Sequence, residues 1–156
     1  MDAAALGKLL TEKGKTLGSI ESFTGGTFAS RITAVPGASH YFKGAIVTYA
    51  TETKNRLVGV DYNTIKTHGV VSQEVAGEMA GHGKFLLDVD YCISFTGNAG
   101  PEAMENKPVG EIYIGIAFLT MCQVFRYDLS GTREEIQNEA IRIGFELLEK
   151  IILQNS

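Results

Sequence analysis

The segment Glu21-Ser22-Phe23-Thr24-Gly25-Gly26 closes an apolar run over residues 16–20 and opens a helical period at Thr27. It is one of several such junctions. Short apolar runs alternate with helical periods along the whole chain, with no low-complexity segment, linker or repeat to mark a boundary, and this alternation predicts one α/β domain over residues 1–156. The hexapeptide also sets a hydroxyl, that of Ser22, at the end of a strand beside the unpaired N–H groups of a helix start, where an anion or an oxyanion can bind. Ser22 is therefore a candidate nucleophile. On the hexapeptide alone the N-cap reading outweighs it, since capping is the commoner use of Ser and Thr before a helix.

The pattern predicts helices over 3–13, 27–35, 51–57, 72–87 and 132 to the C-terminus, and strands over 16–22, 42–49, 89–95, 109–119 and 122–129. Pro36-Gly37 stops the second helix, Gly59 the third, and Asp61 to Asn63 reads as a polar turn. Gly77, Gly81 and Gly83 weaken the long helix by about 1 kcal/mol each against Ala, so they are expected to permit close packing. The last two strands, joined by a tight turn, must be antiparallel, which makes the sheet mixed. Thr132 and Glu135 form a capping box, and Ile136, Ala140, Ile143, Leu147 and Ile151 keep one apolar face on the final helix. The expected architecture is a single three-layer α/β/α domain around a mixed, mostly parallel sheet of about five strands.

A formal net charge of −4 offers no basic face for a phosphate backbone, so nucleic acid is not an expected partner. No apolar run approaches the ~20 residues that span a bilayer, and Met1-Asp2-Ala3-Ala4-Ala5 lacks a basic segment followed by an apolar one. A cytoplasmic protein without a membrane partner is expected. Cys92 and Cys122 lie in apolar runs and form no CxxC, and His40, His68 and His82 have no metal-ligand spacing. Both thiols are expected to be buried, with neither disulfide nor metal, and no cofactor is implied.

Three loops follow strands: residues 22–26, 49–54 and 96–101. In open α/β sheets ligands bind off the carboxyl ends of parallel strands, so these loops are the natural walls of one site. A hydroxyl nucleophile needs a base, and no histidine falls on these loops. Lys54, 32 residues after Ser22, is the available candidate if burial lowers its pKa; otherwise it is a solvated helix residue.

Further segments give the chain a resemblance. Besides the hexapeptide they are Pro36-Gly37-Ala38-Ser39, Phe42-Lys43-Gly44, Val47-Thr48-Tyr49, Lys54, Leu57-Val58-Gly59-Val60 and His68-Gly69-Val70-Val71-Ser72. Then follow Thr96-Gly97-Asn98-Ala99-Gly100-Pro101, Lys107-Pro108-Val109-Gly110 and Gly131-Thr132-Arg133. In this order, and over nearly the whole chain, they resemble the C-terminal domain of the CinA family and its stand-alone form, the PncC-type nicotinamide mononucleotide amidohydrolases. The resemblance implies hydrolysis of the carboxamide of that nucleotide by a serine–lysine pair, with Ser22 as nucleophile, Lys54 as base and Tyr49 as a supporting hydroxyl. It associates Thr96 and Arg133 with the same site, implies a small nucleotide as partner, and suggests a homo-oligomer. Full CinA proteins carry an additional N-terminal domain, which this chain is expected to lack.

The residues fit that chemistry. A neutral Lys54 can take the Ser22 proton during attack and return it to departing ammonia, with Ser22 Oγ and Lys54 Nζ expected about 2.6 to 3.2 Å apart. Oxyanion donors are expected among the N–H groups of Thr24, Gly25 and Gly26 or of the Gly97 loop, and phosphate contacts from Arg133 and the glycine loops. Two positions depart from the family's usual pattern. Phe23 stands where a cysteine is commoner and is expected to point into the core; Asn98 stands where isoleucine is commoner and can bind ligand or redirect the turn. The segment 102–106 also lacks the glycines usual in that loop. A binding-only module that has lost turnover, or another small-amide hydrolase using the same pair, stays open at this level.

Overall fold

The computed structural model describes residues 1–155. Over these residues the order is α1 (Ala3–Lys13), β1 (Leu17–Glu21), α2 (Thr27–Thr33), β2 (Phe42–Val47), α3 (Thr51–Val58), α4 (Tyr62–His68), α5 (Gln73–Leu87), β3 (Tyr91–Gly97), β4 (Glu111–Phe118), β5 (Met121–Asp128) and α6 (Arg133–Gln154), with a short 3₁₀ turn at Ala38–His40. The described strands form one five-stranded sheet in the order β2-β1-β3-β4-β5. β1 pairs in parallel with both β2 and β3, while β4 runs antiparallel to β3 and to β5. Only β4 is reversed.

Alternation along the strands divides the core into two layers. Leu17 on β1, Tyr91, Ile93 and Phe95 on β3, and Ile112, Ile114 and Ile116 on β4 pack with Leu6, Phe28 and Ile141 from α1, α2 and α6. The other parity, Ile20 and Cys92, packs with Val58, Val75 and Met79 from α3 and α5. Three layers result, as the alternating pattern predicts. The α6 capping box forms as expected, and its buried face is wider than the heptad-like stripe, because Ile141, Phe145, Leu148 and Ile152 join Ile136, Ala140 and Ile151. Among the described residues no helix is long and apolar enough to cross a membrane.

The structure corrects three local expectations. Residues 61–63 are not a turn: Asp61 accepts from Asn63 N–H and caps α4, which buries none of its residues and therefore leaves no apolar period to detect. Of the three α5 glycines, only Gly83 is tightly packed; a Cβ there would lie 2.8 Å from Cys92 Sγ and closer still to Ile20, whereas Gly77 has ordinary clearance and Gly81 faces open space. Cys92 is buried but Cys122 is exposed, because β5 is an edge strand whose side chains are largely uncovered.

Candidate active site

The carboxyl ends of β1, β2 and β3 bring the three loops together. Ser22 follows β1 directly and is fixed on both sides of its Cα: its N–H donates to Phe95 O at 3.0 Å, and its carbonyl accepts from Gly25 N–H at 3.0 Å. Its hydroxyl faces α3. There Lys54 Nζ lies 2.9 Å from Ser22 Oγ, inside the range expected from the sequence, and 2.7 Å from Thr48 O, to which it donates. Ser22 is 8% exposed and Lys54 1% exposed. Burial of the aliphatic stem and ammonium lowers the Lys54 pKa to about 8, opposed in part by the Glu105 and Glu52 carboxylates.

Thr48, absent from the sequence-derived set, orients the lysine through its carbonyl while its own N–H continues the parallel ladder to Glu21 O at 2.8 Å. A backbone acceptor carries no side-chain signature, so only the fold shows it. Phe23 points into the core as expected, and its carbonyl accepts from Gln137 Nε2 at 2.8 Å.

The helix start behind Ser22 differs from expectation. Glu21, fully buried, lies on the same face of β1 as Leu17 and Ser19, and its carboxylate fills the first turn of α2. Oε1 accepts from Thr24 Oγ1 at 2.8 Å, Gly26 N–H at 3.1 Å and Phe28 N–H at 3.0 Å; Oε2 accepts from Ala29 N–H at 3.0 Å and Ser19 Oγ at 3.1 Å. The expected oxyanion donors Gly25 and Gly26 are thus already engaged, one with Ser22 O and the other with Glu21. Their part is conformational, since φ of 59° and 97° closes the turn in a region that L side chains rarely adopt. Among the described residues the N–H groups of Phe23, Thr24 and Ala99 make no hydrogen bond. Those of Phe23 and Thr24 directly follow the nucleophile.

The remaining expected residues form the rim and its supports. Arg133, the first residue of α6, donates through Nη1 to Gly100 O at 2.6 Å and through Nη2 to the Tyr49 hydroxyl at 2.8 Å. Tyr49 is 61% exposed, and its hydroxyl bonds to Arg133 rather than to Ser22 or Lys54. Thr96 is buried and donates to Val70 O at 2.7 Å. Gly97 lets β3 approach β4, since a Cβ there would lie 2.5 Å from Ile112 Cγ2. Asn98 redirects the turn: its Oδ1 accepts from Gly100 N–H at 3.0 Å and its main-chain N–H donates to Glu111 O at 3.0 Å. Glu105, also unforeseen from the sequence, accepts from Val70 and Val71 N–H at 2.9 and 3.0 Å and ties the loop between β3 and β4 to the loop before α5.

This arrangement is similar to known proteins along nearly its whole length. The profile of the CinA C-terminal domain matches residues 2–152. A CinA-like protein of Endomicrobium trichonymphae is 42% identical over 156 residues, covering 99% of this chain and 36% of the relative. A CinA-like protein of Flavobacterium psychrophilum is 43% identical over 153 residues, covering 96% and 36%. The chain therefore spans about a third of the length of these relatives. Among solved structures, a CinA superfamily protein of Klebsiella pneumoniae superposes with a TM-score of 0.95 at 25% identity, covering 97% of this chain and 96% of that one. The competence/damage inducible protein CihA of Agrobacterium tumefaciens gives 0.91 at 27% identity, covering 95% and 92%.

Proposed function

The chain belongs to the CinA C-terminal domain family, and from that premise we propose that it is a serine–lysine amidohydrolase which converts nicotinamide mononucleotide to nicotinic acid mononucleotide and ammonia in pyridine-nucleotide recycling. The observation that carries the reading is the 2.9 Å separation of Ser22 Oγ and Lys54 Nζ, with Lys54 buried and its pKa lowered to about 8. An amine in that position is an effective base near neutral pH.

In the proposed reaction Ser22 Oγ attacks the carboxamide carbon and its proton passes to neutral Lys54. The oxyanion is received by the N–H groups of Phe23 and Thr24, which directly follow the nucleophile and make no hydrogen bond within the protein. Collapse breaks the C–N bond, and the Lys54 ammonium protonates the leaving nitrogen, which departs as ammonia. Lys54 then activates a water that hydrolyses the ester on Ser22, regenerating the hydroxyl and releasing the acid. Arg133 spends two of its donors on Tyr49 and Gly100, which aims the guanidinium across the rim and leaves further N–H groups for a nucleotide phosphate.

Ammonia release from the purified protein, measured with nicotinamide mononucleotide, nicotinamide and glutamine in parallel, tests the reading. Turnover of the mononucleotide well above the other two is expected. Equal turnover of free nicotinamide would contradict the phosphate contact. No turnover of any amide would make the domain a binding module.

A further inference from the structure

We propose that Glu21 is a positioning residue for the nucleophile: an internal carboxylate that takes the place of a bound anion at the start of α2 and thereby fixes the rotamer and main chain of Ser22. The functional consequence rests on the proposed serine–lysine chemistry; the geometry stands independently of it.

The five groups that donate to Glu21 come from both sides of Ser22 in the sequence. Ser19 precedes it on β1, while Thr24, Gly26, Phe28 and Ala29 follow it through the turn and into the helix. The carboxylate thus lashes the strand, the turn and the helix to one point, directly behind the residue whose Oγ meets Lys54. A helix cap needs only one or two acceptor contacts. Here all five donors converge on one side chain, and an amide could not replace it, because its NH₂ would face the N–H of Ala29 or the donors on the other oxygen.

Filling the helix start has a second consequence. The partial positive charge and the N–H groups of Gly26, Phe28 and Ala29 are already satisfied, so an anionic ligand gains nothing there. The N–H groups of Phe23 and Thr24 make no hydrogen bond within the protein and directly follow the nucleophile, while Arg133, tied to Tyr49 and Gly100, keeps further N–H groups for a phosphate. The charges that act on Lys54 come from Glu105 and Glu52. Removing Glu21 should therefore disturb where Ser22 Oγ sits without moving the titration of its base.

The test uses a small phosphonofluoridate, which captures an activated serine whatever its amide substrate. Oγ attacks phosphorus, the P–F bond breaks, fluoride leaves and Lys54 takes the proton. Labelling is followed by intact mass with Ser22→Ala as the control. In Glu21→Gln the labelling rate should fall about 10- to 100-fold, as expected for a displaced reacting atom, while the thermal midpoint stays above the assay temperature and the midpoint of the pH–rate profile is unchanged. A rate within twofold of wild type would overturn the proposal, and so would a moved pH midpoint, which would make Glu21 an electrostatic partner of Lys54. If Glu21→Gln does not fold, Ser19→Ala and Thr24→Val each remove one donor from one carboxylate oxygen. Slower labelling in both at an unchanged midpoint supports the assignment; wild-type rates in both reject it. A wild type that labels at Ser22 but releases no ammonia from nicotinamide mononucleotide overturns the proposed substrate and leaves the Glu21 result readable, whereas a wild-type Ser22 that does not label rejects both.

Discussion

Arg133 Nη2 stands 2.8 Å from the hydroxyl of Tyr49, joining the first turn of α6 to the loop after β2 across the mouth of the site. The Tyr49 hydroxyl meets Arg133 and neither Ser22 nor Lys54, so in the proposed reaction it supports the arginine. Tyr49→Phe should accordingly raise KM for the mononucleotide by about 3- to 10-fold, the worth of one hydrogen bond, with kcat nearly preserved. Arg133→Ala should raise KM by about 10- to 100-fold, as loss of a charge-assisted contact implies, and should leave turnover of the dephosphorylated nucleoside unchanged. Steady-state kinetics with both substrates decides it. A fall in kcat alone for Tyr49→Phe would put its hydroxyl in the transition state instead.

In the proposed reaction Ser22 and Lys54 act on one proton, so their losses should not add. Ser22→Ala and Lys54→Ala are each expected to reduce kcat by about 10³-fold or more, and the double variant to lose little beyond either one. Rates that multiply would show two independent contributions and contradict the shared step.

The sheet, its mixed pairing and the α6 capping box were legible because each rests on local chemistry or on periodicity in the sequence, whereas the pairing of Ser22 with Lys54 rested on the family resemblance, since a lone lysine on a polar helix reads by itself as a solvated residue. Asp61 to His68 was not, since α4 buries no side chain and its cap resembles an ordinary Asx turn. The occupied helix start is hidden for a different reason: Glu21 is adjacent to Ser22 in sequence, but only the parity of β1, with Leu17, Ser19 and Glu21 on one face, turns it towards α2. Thr48 and Glu105 act through the backbone, as acceptor and on donors respectively, and nothing in the side-chain pattern marks such partners.

The α5 glycines give a paired stability test. Gly83→Ala forces a methyl against Ile20 and Cys92 in a packed layer and should destabilise by about 1–3 kcal/mol. Gly81→Ala meets nothing within 4 Å and should stabilise by up to about 1 kcal/mol through helix propensity. Urea unfolding of the two variants should therefore move in opposite directions. Equal destabilisation would mean that α5 packs more tightly at Gly81 than the structure shows.

Lys54 ties stability to pH, and in the proposed mechanism it ties activity to pH in the same direction. Burial lowers its folded pKa to about 8 from 10.5, so between those values the unfolded chain holds the proton that the native state has lost. Stability from this group therefore rises with pH over that window. Below about pH 8 the folded protein carries the full cost of a buried ammonium, on the order of 3 kcal/mol for a shift of this size. Lys54→Met should be more stable than wild type near pH 7 and should lack the wild-type gain between pH 8 and 10.5. Activity follows the same proton: kcat/KM should climb with a midpoint near 8, and Glu105→Gln should move that limb to lower pH, because the Glu105 carboxylate favours the ammonium. Lys54→Arg keeps the charge but cannot give up a proton near neutrality, so it should bind the mononucleotide and fail to turn it over. Near wild-type turnover by that variant would remove Lys54 from the role of base, whatever amide the protein hydrolyses.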